Sequence, residues 1–375
     1  MSCELLPRDR DEPRRRPRHA ASFVTALGLA LVLAACARGA LIVDASDAVV
    51  RSDVGGSPSS LVKGGPHRTA VARNVLVLTS GGADGAFGAG VLTAWSGSGK
   101  RPAFDVVSGT STGALQATAA FLGSDYDPLL ERVYTATQTR DVFRFNGLKT
   151  LLGTGLYDPA PLRRLLMEAI DEEMLDAVAA AHAAGRRLYV TTTDMTAGRT
   201  VIWDMGAIAA SGGDRRERYV DLLVASAAVP GLVEPVYVRD GRDSGLATHG
   251  DGGVKAPVPL ETFMLGRRAA GRTDVWVIAN GHVSRDAALR SEARTTLGLA
   301  QRGISQLIRQ LLYASVQEAE TKTRQAGAHF YLIALPDTVP EATNPFEFKP
   351  DEMRELYEAG QRIGFDRFGS LQAVR

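Results

Sequence analysis

The chain is poor in cysteine. Only Cys3 and Cys36 occur in 375 residues, which excludes a disulfide framework and a thiolate metal cluster. It also lacks a surplus of either charge: 43 Lys and Arg stand against 42 Asp and Glu, a formal net charge of +1. A nucleic-acid binder would carry a basic excess, so that class is set aside. The apolar stretch FVTALGLALVLAA, Phe23 to Ala35, falls short of the roughly 20 residues needed to span a bilayer. The remainder is ordinary for a globular protein, with 45% hydrophobic and 23% charged residues and ample material for a core.

The opening residues carry the pattern of an export signal. Basic RRRPRH, Arg14 to His19, precedes the apolar stretch, which closes on Leu33-Ala34-Ala35-Cys36. Small residues before a cysteine resemble the bacterial lipoprotein signal, in which that cysteine is lipidated after cleavage. On this reading residues 1–35 are a signal peptide and Cys36 is the lipidation site. The product is then an exported lipoprotein anchored to a bacterial membrane, on its periplasmic side or at the cell surface. An ordinary secretory signal with an incidental cysteine is the alternative. A lipid on one cysteine attaches a protein to a membrane without spanning it. Residues 36–73, with VGGSPSS and KGGPHRT, read as a flexible tether. A short pairing segment near Ala40 to Val43 is the one candidate element within it. The folded domain is expected over residues 74–375.

Within that domain, Val75 to Leu78 is a continuous apolar run of the kind a strand buried on both faces carries. The loop SGGADG, Ser80 to Gly85, leads to a helix over Ala86 to Trp95. Phe104 to Val107 is a second strand and Thr112 to Leu122 a second helix. Strand, tight loop and helix, repeated, predict a parallel α/β sheet. Further helices are expected over Pro128 to Thr137, Pro159 to Ala184, Tyr219 to Ala227, Ala287 to Gln325 (broken near Gly303) and Glu352 to Arg362. Strands are expected at Arg187 to Thr192, Thr200 to Trp203, Asp274 to Ala279 and His329 to Leu335. The order fits one α/β domain better than two.

The junction between the second strand and helix reads Gly109-Thr110-Ser111-Thr112-Gly113. GxSxG alone is a weak signal, but here a strand precedes it and a helix follows, as a nucleophile elbow requires. The small flanking residues let strand and helix approach closely, and the first helical turn offers free N–H groups to a developing oxyanion. Ser111 is therefore the candidate nucleophile. A βα turn with a surface serine is the plainer alternative. The Ser80 to Gly85 loop matches neither GxGxxG nor GxxxxGK[ST]. What it offers is a run of backbone donors that would form an oxyanion hole beside Ser111.

A serine nucleophile needs a base. Of six histidines, His19 lies in the signal, His67 in the tether and His182 on an alanine-rich helix. His249, His282 and His329 remain, and His282 could serve. HGDGGVKAP, His249 to Pro257, offers a carboxylate instead: a flexible Asp251-Gly252-Gly253 could bring Asp251 to a hydroxyl. Asp-Gly is also a common turn dipeptide, and this segment by itself favours the turn.

SGGADGAFGAGVL (Ser80 to Leu92), GTSTG (Gly109 to Gly113) and DGG (Asp251 to Gly253), in that order, resemble the patatin-like phospholipases. ASAAVPGLVEPV, Ala225 to Val236, resembles a further block of that family, and the resemblance runs from about Val75 to Pro259. It implies a three-layer α/β fold with a mainly parallel central sheet flanked by helices. It implies Ser111 as nucleophile, Asp251 as base without histidine, and Gly81, Gly82 and Ala83 as the oxyanion loop. It also implies hydrolysis of acyl esters of phospholipids or other lipids through an acyl-enzyme. No metal-ligand constellation is visible in the sequence, so chemistry without a metal or cofactor is expected. The sequence departs from the family pattern at Ser80 (for glycine), Asp84 (for Arg or Lys), Pro257 (for asparagine) and Val233-Glu234 (for Phe-Pro). A carboxylate at Asp84 would oppose negative charge at the oxyanion loop unless it points away. Two other classes stay open: a Ser-His esterase using His249 or His282, and a non-catalytic binding or scaffold lipoprotein.

Overall fold

Val75, Leu76, Val77 and Leu78 are all buried, yet they do not share one core. Leu76 and Leu78 pack in one hydrophobic cluster, Val75 and Val77 in another. Because side chains alternate across a strand, the two clusters must lie on opposite faces of the sheet. A strand covered on both sides has no use for polar alternation, hence the unbroken apolar run.

The computed structural model describes residues 40–52, 72–147, 154–239, 245–266, 271–284 and 296–369. In chain order the elements are β1 (Ile42–Asp44), β2 (Val49–Ser52), β3 (Ala72–Leu78), α1 (Gly85–Gly97), β4 (Val106–Thr110), α2 (Thr112–Leu122), α3 (Asp127–Ala136), α4 (Thr139–Val142), β5 (Arg144–Phe145), β6 (Gly155–Asp158), α5 (Ala160–Ala169), α6 (Glu172–Ala183), β7 (Arg187–Asp194), β8 (Arg199–Asp204), α7 (Met205–Ala209), α8 (Arg215–Ser226), β9 (Gly231–Val233), β10 (Val236–Arg239), β11 (Ala247–Asp251), β12 (Arg272–Ala279), α9 (Thr296–Gln325), β13 (His329–Ala334) and α10 (Pro350–Gly364).

Strands β13, β12, β3, β4 and β7 are neighbours in that order and all parallel. The fold is α/β, with a mainly parallel central sheet between two layers. One layer contains α1, α2, α3, α5, α6, α8 and α10; the other is built from residues 258–265 and α9. Strand β8 pairs antiparallel with β7 and β2 with β8, while β11, β10 and β1 extend the sheet on the other side. A separate three-stranded sheet joins β5, β6 and β9.

One pairing detail positions the site. Strand β4 runs along β7 from Arg187 to Thr191, and β11 runs antiparallel along β7 from Asp194 back to Thr192. The last pair of β4 is Thr110 with Thr191, and the last pair of β11 is Asp251 with Thr192. The two strands therefore meet end to end on consecutive residues of β7.

Several expectations are corrected. Residues 42–52 are not tether: the candidate pairing segment near Ala40 to Val43 forms β1, β2 follows it, and the two cover the edges of β10 and β8, with Val43, Ala45 and Ala48 buried. An open sheet edge leaves backbone groups unpaired, and short β-branched segments are apt to cover it. Residues 53–71, and the proposed signal with Cys36, lie outside the described residues. The long helix expected from Pro159 to Ala184 is two. Ile170 is extended, and Asp171 caps the second by accepting the Met174 N–H at 2.8 Å, a capping cue masked by Leu162, Leu165, Leu166 and Ile170 at helical spacing. Helix α9 runs unbroken through Gly303. The second strand reaches Thr110 and so enters the glycine motif. Among the described residues no helix is long and apolar enough to cross a membrane.

Replacing Val43, which faces Val238 across the β1–β10 pair, by aspartate would bury an unpaired carboxylate. The expected loss is on the order of 2–4 kcal/mol in a denaturant titration. A tether residue would tolerate the change within about 0.5 kcal/mol.

Candidate active site

Where β4 ends, the backbone of Ser111 turns into a conformation with φ 54° and ψ −127°. It is the only non-glycine residue with positive φ among the described residues. Such a conformation costs on the order of 1–3 kcal/mol and needs surrounding structure to impose it. That structure is identifiable. The Ser111 N–H donates to Ser226 Oγ at 3.0 Å, and Ser226 Oγ donates in turn to the Thr191 carbonyl at 2.7 Å. The Ser111 carbonyl accepts from Ala114 and Leu115, starting α2. A Cβ on Gly109 would strike the Gly113 carbonyl, and one on Gly113 would strike the carbonyls of Leu78 and Thr79. Both glycines of the motif are thus required by close backbone approach.

Ser111 Oγ donates to Asp251 Oδ2 at 2.6 Å, closing a separation of 140 residues. Asp251 is held on every side. Its Oδ1 accepts the Gly253 N–H at 2.7 Å, its backbone N–H donates to the Ala228 carbonyl at 2.8 Å, and its carbonyl accepts Thr193 Oγ1 at 2.9 Å. The side chain is buried, and burial pushes its pKa up to about 6 against the opposing effect of the hydrogen bonds from Ser111 and Gly253.

The Ser80 to Gly85 loop lies beside both. A Cβ on Gly253 would meet Ser80 and Asp251 Oδ1, and one on Gly85 would strike Thr112. The N–H groups of Gly81 and Gly82 have no acceptor among the described residues, and neither does that of Thr112, the residue after the serine. Ala83 is different. Its N–H donates to the Pro345 carbonyl at 2.9 Å, so the expected third donor of the loop is already engaged, and Thr112 takes that position in the candidate set. The Asp84 side chain points away, accepting the Ala342 N–H at 2.7 Å.

The histidines are occupied elsewhere. His249 Nδ1 shares a hydrogen bond with Thr192 Oγ1 at 2.8 Å. His282 Nε2 bonds the Val339 carbonyl at 2.8 Å. Neither bonds Ser111, whose hydroxyl donates to the carboxylate, so among the described residues the geometry offers no Ser-His pair. Among the described residues, no group of three His, Cys, Asp or Glu side chains is arranged to hold a metal.

Sequence reasoning did not find Ser226, Ala228 or Asn280. The first two lie in the ASAAVPG segment, read as a helix end and a further block of the family resemblance without a role for either residue, and they anchor Ser111 and Asp251 respectively. Asn280 bonds the Thr79 carbonyl through Nδ2 and the Gly88 N–H through Oδ1, at 2.9 and 3.1 Å, pinning both ends of the glycine loop. No local signal marks it, since it follows β12, some 200 residues away in sequence. The departures from the family pattern also have local partners. The Ser80 N–H donates to the Pro257 carbonyl at 3.2 Å, and Glu234 Oε1 accepts from Asn146 Nδ2 at 2.9 Å.

A strained serine at a strand-to-helix turn, bonded to a buried carboxylate beside free backbone donors, is the arrangement a serine nucleophile on an α/β fold would require. Residues 76–264 match the family model described as patatin-like phospholipase, and the chain belongs to that family, whose members are lipid acyl hydrolases. No curated protein matches it. Among solved structures, the crystal structure of VipD from Legionella pneumophila is similar, at 12% identity and a TM-score of 0.42, over 80% of this chain and 67% of that one.

Two outcomes follow from the geometry. The raised pKa means that the fold opposes ionisation of Asp251. Its stabilising effect is full below about pH 4 and is lost as pH rises through about 6. Asp251→Asn is therefore expected to be more stable than the wild type at pH 8, by on the order of 2–3 kcal/mol, with little difference at pH 4. Denaturant titrations at the two pH values measure this. Ser226→Ala leaves the Ser111 N–H without its partner and should cost about 1–3 kcal/mol in the same assay.

Proposed function

We propose that this protein is a serine lipid acyl hydrolase with a Ser111–Asp251 dyad and an acyl-enzyme intermediate. The 2.6 Å hydrogen bond from Ser111 Oγ to Asp251 Oδ2 carries this reading. Ser111 Oγ attacks the ester carbonyl carbon as its proton passes to Asp251 Oδ2. The carbonyl oxygen takes up the charge and accepts from the N–H groups of Gly81, Gly82 and Thr112. As the C–O bond to the alcohol breaks, Asp251 returns the proton to the leaving oxygen. Water then attacks the acyl-serine, giving its proton to Asp251. Collapse of the second intermediate frees the fatty acid, and the proton returns to Ser111. A carboxyl that titrates near 6 suits this exchange, because a base poised close to working pH transfers protons in both directions.

The substrate class is an acyl ester of a phospholipid or related lipid. The N-terminal signal pattern supports export of the protein, with Cys36 lipidated to hold it at a bacterial membrane surface. The anchor would then keep the catalytic domain close to lipid esters.

Hydrolysis of a short aryl ester tests the dyad. Ser111→Ala is expected to lower kcat/KM by on the order of 10³-fold or more, and Asp251→Asn by about 10²- to 10⁴-fold. A folded protein whose Ser111 resists a fluorophosphonate probe would favour the scaffold reading instead. The carboxylate must be ionised to accept the proton, so activity should fall as pH drops through about 6. At pH 5 it should be about a tenth of the plateau. A limb near pH 4, typical of an exposed aspartate, would assign the base elsewhere.

A further inference from the structure

The free donors of Gly81 and Gly82 sit on residues with no side chains to hold them, and Gly82 has φ 58°. The middle of the loop is restrained by a distant segment, residues 336–349, between β13 and α10. The Pro345 carbonyl accepts the Ala83 N–H at 2.9 Å, and a Cβ on Gly82 would strike that same carbonyl. One residue further on, Asp84 Oδ1 accepts the Ala342 N–H at 2.7 Å. Asp84 is 6% exposed, a costly place for a carboxyl with no task. The segment is itself fixed from three sides. Glu341 accepts from the His282 N–H at 2.9 Å and from Arg309 Nη2, on α9, at 2.6 Å. Thr343 donates through N–H and Oγ1 to Glu352, on α10, at 2.9 Å each.

We propose that Asp84 is a positioning residue for the oxyanion loop. By accepting the Ala342 N–H it locks the loop onto the 341–345 segment, so that the N–H groups of Gly81 and Gly82 are held where oxyanion charge develops. Lysine or arginine, the residues usual at this position in the family, have no acceptor and could not make this bond. The departure at Asp84 and the placement of the 341–345 segment are thus one arrangement. Burial pushes the Asp84 carboxyl well above the usual carboxylate range, with the Ala342 hydrogen bond opposing; Glu341 and Glu352 raise it further and Arg309 opposes them. A neutral carboxyl still accepts through its carbonyl oxygen, so what matters at this position is the acceptor rather than the charge.

This inference rests on the acyl-hydrolase reading of Ser111, and the test separates the two. Aryl-ester kinetics are measured on full-length wild type, Ser111→Ala, Asp84→Ala and Asp84→Asn, with melting temperatures of each. Asp84→Ala is expected to lose about 10²-fold in kcat with KM within about twofold, since the loss falls on transition-state charge. Asp84→Asn retains the acceptor and is expected to keep kcat within about threefold, with a melting temperature at or above the wild type. Should the alanine variant fail to fold, Asp84→Leu, similar in shape and without an acceptor, takes its place. Wild-type kcat in Asp84→Ala, or equal losses in the alanine and asparagine variants, would overturn the proposal while leaving an inactive Ser111→Ala intact. Hydrolysis that survives Ser111→Ala would overturn the serine reading and this inference together.

Discussion

The structure depends on two strands ending on the same edge of β7. β4 stops at Thr110, opposite Thr191, and β11 stops at Asp251, opposite Thr192. Neighbouring residues on one edge of a strand leave almost no room between two such ends. A hydroxyl on the residue after one terminus meets a carboxylate on the other. Sheet register, specified by the burial of both faces, thereby sets the distance between the proposed nucleophile and base. A slip of one residue in either pairing would turn its side chain to the wrong face.

Two features of this junction work against stability. Ser111 occupies a strained backbone conformation, and Asp251 carries a carboxyl into a buried site. One short segment restrains both: Ser226 takes the Ser111 N–H, and the Ala228 carbonyl takes the Asp251 N–H. The end of α8 and the turn after it therefore act as a clamp across the junction. On the proposed function, a carboxyl and a strained serine are retained here because the chemistry needs them, the usual relation between a functional site and the stability of the fold around it.

The backbone donors depend on a second set of long-range contacts. Asn280 holds both ends of the glycine loop from the end of β12, and residues 342–345 hold its middle. Glycine at 81, 82 and 85 leaves room for neighbouring backbone or side-chain atoms that a Cβ would displace. The same absence of side chains deprives the loop of local restraint, so it must borrow restraint from elements far along the chain.

Much of this was legible locally. The buried apolar run at Val75 to Leu78, the serine between two glycines and the following helix are short-range patterns, and each reflects a constraint acting within about ten residues. The motifs in order also identified the family, and with it the pairing of Ser111 with Asp251. What local pattern could not supply was anything that exists only through contact between distant segments. Such features include the strand pairing of residues 49–52, the break after Ala169 hidden by the helical spacing of Leu162 to Ile170, the use of the Ala83 N–H by Pro345, and the roles of Ser226 and Asn280. The residues themselves determined which chemistry is present: a hydroxyl, a carboxyl and small residues that allow close approach. Tertiary structure alone decided that the hydroxyl and carboxyl touch, that the Asp84 carboxyl turns away from the site, and which amides stay free. Those outcomes depend on sheet register and on packing between segments more than a hundred residues apart.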